Sequence, residues 1–342
     1  MTLPITNHFP PFNITRASHV VLTVSDLDAS YAHYVEMLGL ILTERTEDTL
    51  YLRGIDERAH HSVVLRKSDA PGSVDRIGLR VFMEQDLETA YAWFNDHGVP
   101  CRWATMPFQG KTLHFEDPNG MPVELCARMD QVQSYHDRFQ HHRGGHPRGI
   151  DHVQMPVPDV LKGTEFYMNL GFRLSEYTDS DDGSQLWGTW LQRKGNPHDI
   201  VFTSGKGPAL HHFAMQAKDA STIMHICDVV GSMGLEDIID RQPSRHGIGN
   251  ALFVYFRDPD GHRMEFYDAH YQMIDIDHEP IRWPLSNTKR SSLWGVPASR
   301  RWYFETSPFT GVPLCEPLFA GEPMTLERYV SEIGCSRRRS KR

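Results

Sequence analysis

The feature that most narrows what this chain can fold into is that it contains one unit twice. The stretch SHVVLTVSDLDASYAHYVEMLGL from Ser18 lies over DHVQMPVPDVLKGTEFYMNLGF from Asp151, with one residue of slippage in the helical part. His19 falls on His152, Asp26 on Asp159 and Gly39 on Gly171. YLRGIDERAHHSVVL from Tyr51 then matches WLQRKGNPHDIVF from Trp190, RIGLRVF matches LHHFAM, and LHFEDPNGMPVELCA matches VYFRDPDGHRMEFYDA. A repeat of domain length folds as two like bodies, and 342 residues suit two cores better than one.

Each copy has the same grammar. A short alternating strand (HVVLTV, HVQMPV) runs into a helix opened by an Asp-containing cap and closed at a Gly. Further strands follow, then a second helix (DLETAYAWFNDHG; DASTIMHICDVVGSMG) and a last pair of strands around DPNG or DPDG. The expected class is α+β, built from βαβββ units in tandem. Residues 1–15 read as an extension, 16–130 as the first module, 131–149 as a polar connector, and 150–270 as the second module. Residues 271–342 read as a Pro-rich, aromatic lid or packing arm with a helix near MTLERYVSEIG.

Composition excludes several roles. A formal charge of −9 gives no overall pull toward nucleic acid or an anionic membrane, and the basic tail SRRRSKR reads as a solvated end. No run approaches the ~18 apolar residues of a membrane span, and MTLPITNHFPPF has no signal-peptide pattern. A cytoplasmic location is expected. Cys101, Cys126, Cys227, Cys315 and Cys335 show no CxxC spacing, so neither disulfides nor a thiolate metal site is expected.

The chemistry gathers in the second copy. In RDPDGHRMEFYDA, Glu265 stands between Met264 and Phe266 in a strand, where an ionised carboxylate is costly unless a positive charge meets it. His152, in the first strand, and His212, in LHHFAM, have alternating apolar neighbours, so both can face Glu265. Two imidazoles and one carboxylate with open positions are the facial set of non-heme Fe(II). Among 20 histidines any single one is ordinarily a surface or core residue, and Glu265 alone reads as a strand-edge carboxylate in water; it is their joint placement that points to a metal. The first copy keeps His19 and Glu124 but aligns Gly78 with His212, so it is expected to bind no metal.

HGIGNALFVYFRDPDGHRMEFY, residues 246–267, and the two-module layout resemble the extradiol catechol dioxygenases of the vicinal oxygen chelate superfamily, most of all their homoprotocatechuate and catechol 2,3-dioxygenase branches. The resemblance covers nearly the whole chain and implies two modules, each an open barrel of mixed sheet. It also implies Fe(II), or Mn(II), held by His152, His212 and Glu265. His198 matches an acid/base, His246 and Tyr255 match groups that steady the substrate oxygens, and Trp190 matches a pocket aromatic. Both atoms of O2 would enter a catechol next to its hydroxyls to give a muconic semialdehyde. A homotetramer is implied as well.

Arg241 and Arg290 fall where homoprotocatechuate enzymes bind a carboxylate, a group that a guanidinium grips as a fork. Gln154 stands where an Asn is usual, and Ser291 where a second Arg is usual. A substituted, carboxylated catechol is therefore the expected substrate. The bland readings are a surface salt bridge for each arginine, an exposed turn residue for His198 and plain strand or core aromatics for Tyr255 and Trp190. The rival functions are a 4-hydroxyphenylpyruvate dioxygenase-like enzyme, a metal- or small-molecule-binding protein of the same superfamily, and a glyoxalase-type lyase or isomerase. The second would leave the His198 and His246 pair without purpose. The third usually draws four metal ligands from two modules, and the first copy here lacks one.

Overall fold

The computed structural model describes residues 2–339, with side chains as far as residue 332; Cys335 and the basic tail lie beyond that point. The first sheet contains β1 (Ile14–Val24), β2 (Ile41–Arg45), β3 (Thr49–Arg53), β4 (Val63–Lys67), β5 (Val74–Val81), β6 (Cys101–Met106), β7 (Gly110–Glu116) and β8 (Pro122–Cys126). Its order is β2-β3-β4-β1-β5-β8-β7-β6. β1 lies parallel to β4 and antiparallel to β5. It carries the near-continuous apolar run of a strand covered on both faces, with His19 within that run. Helix α1 (Leu27–Tyr31) starts where the Asp26 carboxylate accepts from the Asp28 and Ala29 amides, and it continues into a wider turn over Ala32–Met37. Helix α2 (Glu84–Asp96) covers the second half of the module.

The second module repeats this plan. Its strands are β9 (Ile150–Val157), β10 (Arg173–Asp179), β11 (Leu186–Gln192), β12 (Ile200–Ser204), the short β13 (Ala209–Leu210), β14 (His212–Gln216), β15 (Ile239–Arg245), β16 (Leu252–Arg257) and β17 (Arg263–Tyr267). Helices α3 (Val160–Asn169) and α4 (Ala220–Ser232) are opened by the carboxylates of Asp159 and Asp219. The order β15-β16-β17-β14-β9-β12-β11-β10 is the first sheet's order over again, and neither sheet closes on itself.

The sequence suggests no strand in the arm, yet β18 (Ile281–Pro284) extends the second sheet parallel to β10. Its anchor is Trp283, whose Nε1 donates to the buried Glu176 carboxylate over 2.5 Å. β19 (Ser307–Pro308) pairs with β13, and helices α5 (Arg300–Phe304) and α6 (Leu326–Arg339) complete the arm.

Register corrects one sequence alignment. His19 pairs with Gly78 and Gly78 with Glu124, just as His152 pairs with Ala214 and Ala214 with Glu265. Gly78 therefore stands at the place of Ala214, and Arg76, two residues earlier, stands at the place of His212. A Cβ on Gly78 would lie 2.1 Å from the His19 ring, so the imidazole fills the room that a side chain would need.

The DPxG turns do more than reverse the chain. Asp258 in the second module accepts from the buried Tyr34 hydroxyl of the first over 3.0 Å. Asp260 accepts from the Ser25 amide, and reciprocally Asn119 exchanges two hydrogen bonds with the backbone of Asp159. His262 donates from Nε2 to the Thr23 carbonyl and accepts at Nδ1 from Ser307. Tyr34→Phe removes a donor from a buried carboxylate and is expected to cost about 1–3 kcal/mol. A denaturant midpoint lower by that amount, at unchanged slope, is the expected result; an unchanged midpoint would mean that this contact does not hold the modules together.

Candidate active site

One cleft of about 560 Å3, counting the space open at its mouth, lies against the second sheet. His152, His212 and Glu265 all line it and are almost fully buried. His152 Nε2 and His212 Nε2 each stand 3.2 Å from Glu265 Oε2 and 3.4 Å from one another.

The tautomers follow from what lies behind each ring. Asp151 Oδ2 receives the Nδ1 proton of His152 over 2.8 Å. His211 gives its Nε2 proton to the Trp302 carbonyl over 2.7 Å, which leaves its Nδ1 to accept from His212 Nδ1, also over 2.7 Å. Both Nε2 lone pairs therefore converge on the carboxylate. Three cis donors about 2.1 Å from one cation subtend about 3 Å, so the triangle fits a single octahedral metal site. His212 rather than its neighbour His211 is free to serve as a ligand, since the Nε2 of His211 is committed to the arm.

Electrostatics agree with an ionised Glu265. Burial opposes its charge, yet N–H donors at the Nε2 atoms of His152, His212 and His246 would hold it well below the ordinary carboxylate range, and a cation bound there would take their place. Burial, offset only in part by Glu265, lowers His212 to about 4 and keeps it neutral, as a ligand must be. The buried Asp151 stays ionised beside Lys194, whose Nζ lies 3.4 Å away, and it also accepts from Asn196 over 2.5 Å.

The remaining expected residues sort into three places. His198, Trp190, Gln154, His246, Tyr255 and Arg290 line the cleft. His198 is buried rather than an exposed turn residue; burial first, and then the neighbouring His152 and His270, hold it well below the ordinary imidazole range. His246 gives its Nδ1 proton to the Ser291 carbonyl over 2.7 Å, and its Nε2 accepts from Tyr255 over 3.0 Å. Arg290 is 3% exposed and lies over the Trp187 ring, and its Nη2 has no hydrogen-bond partner. Arg241 is not on the wall. It lies behind Trp302, between that ring and Phe253, and donates to Ser291 and Ser292. Among the described residues neither arginine has an acidic partner within 4.0 Å, which removes the salt-bridge reading.

Sequence reasoning did not name His270, Trp187, Ile248 or Tyr303, which also line the cleft, nor Glu176 behind it. Ile248 lies within the 246–267 stretch, Tyr303 in the arm, and no motif marks the others.

The first module solves the same problem differently. Glu124 is fully buried and meets Arg76 Nε at 2.6 Å, His114 at 3.1 Å and His19 at 3.3 Å. His19 works against its own burial, but the Glu124 charge raises it to about 9, so it is an imidazolium. Cys126 also lies close to His19 and Glu124.

Tandem βαβββ modules with one buried His, His, Glu site under an aromatic cleft define a metal-dependent enzyme of the vicinal oxygen chelate type. Residues 16–125 and 149–266 match the Glyoxalase/Bleomycin resistance protein/Dioxygenase superfamily, and the chain belongs to that family. The metapyrocatechase of Pseudomonas sp. (strain CF600) is 30% identical over 291 residues, 79% of this chain and 91% of that protein. A manganese-dependent 2,3-dihydroxybiphenyl 1,2-dioxygenase of Geobacillus genomosp. 3 is 28% identical over 303 residues, covering 83% and 94%. Among solved structures, homoprotocatechuate 2,3-dioxygenase from Arthrobacter globiformis superposes with a TM-score of 0.85 at 34% identity over 90% of this chain and 96% of that one. An extradiol ring-cleaving dioxygenase from B. fuscum gives a TM-score of 0.88 at 32% identity, covering 94% and 91%. The chain is an extradiol dioxygenase of the catechol 2,3-type, an oxidoreductase that uses Fe(II) or Mn(II) with O2 and a catechol-type aromatic. Among the described residues no helix is long and apolar enough to cross a membrane.

Asp151 orients the candidate ligand His152 from behind, and such partners are worth about 10–100-fold in metal affinity. Asp151→Asn is expected to weaken Fe(II) binding by that factor in chelator competition. Unchanged affinity would show that the His152 tautomer does not depend on Asp151.

Proposed function

We propose that this enzyme opens a carboxylated, homoprotocatechuate-like catechol next to its hydroxyls to give a muconic semialdehyde. The observation that carries the reading is the pairing of two features in one cleft: three converging metal donors at its floor and the buried, unpartnered Arg290 guanidinium in its wall. A buried guanidinium without a counter-ion favours an anionic group on the ligand, and a carboxylate meets it as a fork.

His152, His212 and Glu265 would hold Fe(II) or Mn(II), which when bound supplies a common site for both oxygens of the diol and for O2. The protein's own part is positioning and proton handling. Trp190 and Ile248, packed together with Val201, form an apolar wall for the ring. His246 and Tyr255, joined by their hydrogen bond, present a polar edge to the substrate oxygens. His198 is neutral in its buried setting and can take a proton as the diol binds and return it at ring opening. Gln154 lies on the same wall, and Arg241 acts through Ser291, which it holds beside Arg290.

The 16–130 module then serves as a metal-free base and 150–270 as the catalytic body, with 131–149 between them and the 271–342 arm as the lid. A homotetramer fits the arm, where Ile274, Ile276 and Leu318 are widely exposed. A cytoplasmic location fits an enzyme that depends on reduced Fe(II).

The test is anaerobic purification with Fe(II), then oxygen uptake and yellow product with catechol and with 3,4-dihydroxyphenylacetate, using Glu265→Ala as control. Wild type is expected to turn over both, with the lower KM for the carboxylated ring, and Glu265→Ala neither. Arg290→Ala should raise KM for the carboxylated ring about ten- to a hundredfold and leave KM for catechol within about twofold. Equal KM values for the two rings in wild type would contradict the substrate assignment.

A further inference from the structure

Five imidazoles line the cleft, and the reading above gives a part to four of them: His152, His198, His212 and His246. The fifth is His270, beyond the end of β17, with its side chain only 4% exposed. Its Nδ1 donates to the Gly249 carbonyl over 3.0 Å. That bond places the proton on Nδ1 and leaves Nε2 a lone-pair acceptor. This Nε2 is buried, makes no hydrogen bond, and has the Asp151 carboxylate 3.7 Å away.

The neighbouring ring has the complementary lack. His198 packs edge-on against His270 at 4.7 Å between centroids, and its Nδ1 is likewise buried without a partner. One nitrogen from each of His152, His198 and His270 lies within 4.8 Å of the others. For His198 Nε2, the nitrogen left to face the cleft, to accept a proton from a diol, the resident proton must be on Nδ1, and a buried N–H needs an acceptor.

The position of His270 is built rather than incidental. Gly249 has a φ of +65°, and a Cβ there would lie 2.8 Å from His270 Nδ1 and 3.3 Å from His198 Cε1. The Gly249 amide donates to Glu176 over 2.7 Å, and Glu176 also accepts from Tyr271, next to His270, over 2.8 Å. The buried Glu176 carboxylate thus pins both sides of the loop that locks His270.

We propose that His270 is a positioning residue for His198: its Nε2 receives the Nδ1–H of His198, directly or through one bridging water, and so fixes the tautomer that leaves His198 Nε2 free toward the substrate. The bond forms as the rings draw together, as catalytic hydrogen bonds that tighten on substrate binding do. No electron moves. The proton that Nε2 takes from the diol is the one it later returns, while the Nδ1 proton stays between the two rings.

The inference rests on the acid/base reading of His198, and the test separates the two. Steady-state turnover of 3,4-dihydroxyphenylacetate and Fe(II) content are measured for His198→Asn, His270→Phe, His270→Leu and His270→Gln. His270→Phe and His270→Leu remove the acceptor, and either suffices if the other does not fold; both are expected to lower kcat at least tenfold with KM within about twofold and full iron content. His270→Gln, whose amide can both donate to Gly249 and accept from His198, should recover most of the rate. Wild-type kcat in the Phe and Leu variants, or a Gln variant no better than they are, overturns the role of His270. A fall in iron content parallel to kcat does so too. Wild-type kcat in His198→Asn would instead overturn the reading of His198 itself.

Discussion

Each module buries a carboxylate in its last strand, and each must bring positive charge to it. An unpaired carboxylate in such a setting would give up its charge or the fold. In the first module Glu124 is met by the guanidinium of Arg76 and the imidazolium of His19. In the second, His212 takes the place of Arg76, and burial keeps His212 neutral. Burial lowers His152, yet Asp151 and Glu265 raise it overall, and a metal ion bound at the two Nε2 atoms would take over the compensating role of its proton. The same architecture is closed by an internal cation in one copy and left open to an external one in the other.

That exchange needs the surrounding structure to hold three lone pairs within a few tenths of an ångström. The arm takes part, because the Trp302 carbonyl fixes His211 and His211 fixes the proton of His212. The first module takes part through the turn that precedes Glu265, where Asp258 and His262 are bonded to residues of the wider turn after α1 and of β1, and Asp260 to Ser25 between β1 and α1. The first module, proposed to be metal-free, thus serves as a foundation for the proposed metal site of the second. The arm that lines the cleft also sets the His212 tautomer, so cleft and candidate metal centre are one assembly.

Much of this was legible in the sequence. Strand alternation and the repeat together pointed to His152 and Glu265, because period-2 spacing and equivalent positions are local properties of the chain, while His212 was chosen on alternation and on the family resemblance. The helix caps at Asp26 and Asp159 were legible for the same reason. Arg76 was missed because it lies two residues from Gly78 and so shares its face; alternation cannot choose between them, and pairing is disturbed by bulges in β1. His270 and Glu176 were illegible because their partners, Gly249 and Trp283, come together only through loops and the added strand β18. Arg241 was expected beside the substrate carboxylate; it lies instead behind Trp302, a seat that depends on how the arm folds back.

The central claim, that a metal ion answers Glu265 and a guanidinium answers Glu124, is tested most directly by metal stoichiometry. Fe(II) or Mn(II) bound per chain is measured in the reconstituted protein and in Glu265→Ala and Glu124→Ala. The account predicts one ion per chain in wild type and in Glu124→Ala, and none in Glu265→Ala. Two ions per chain in wild type, with one lost in Glu124→Ala, would contradict it.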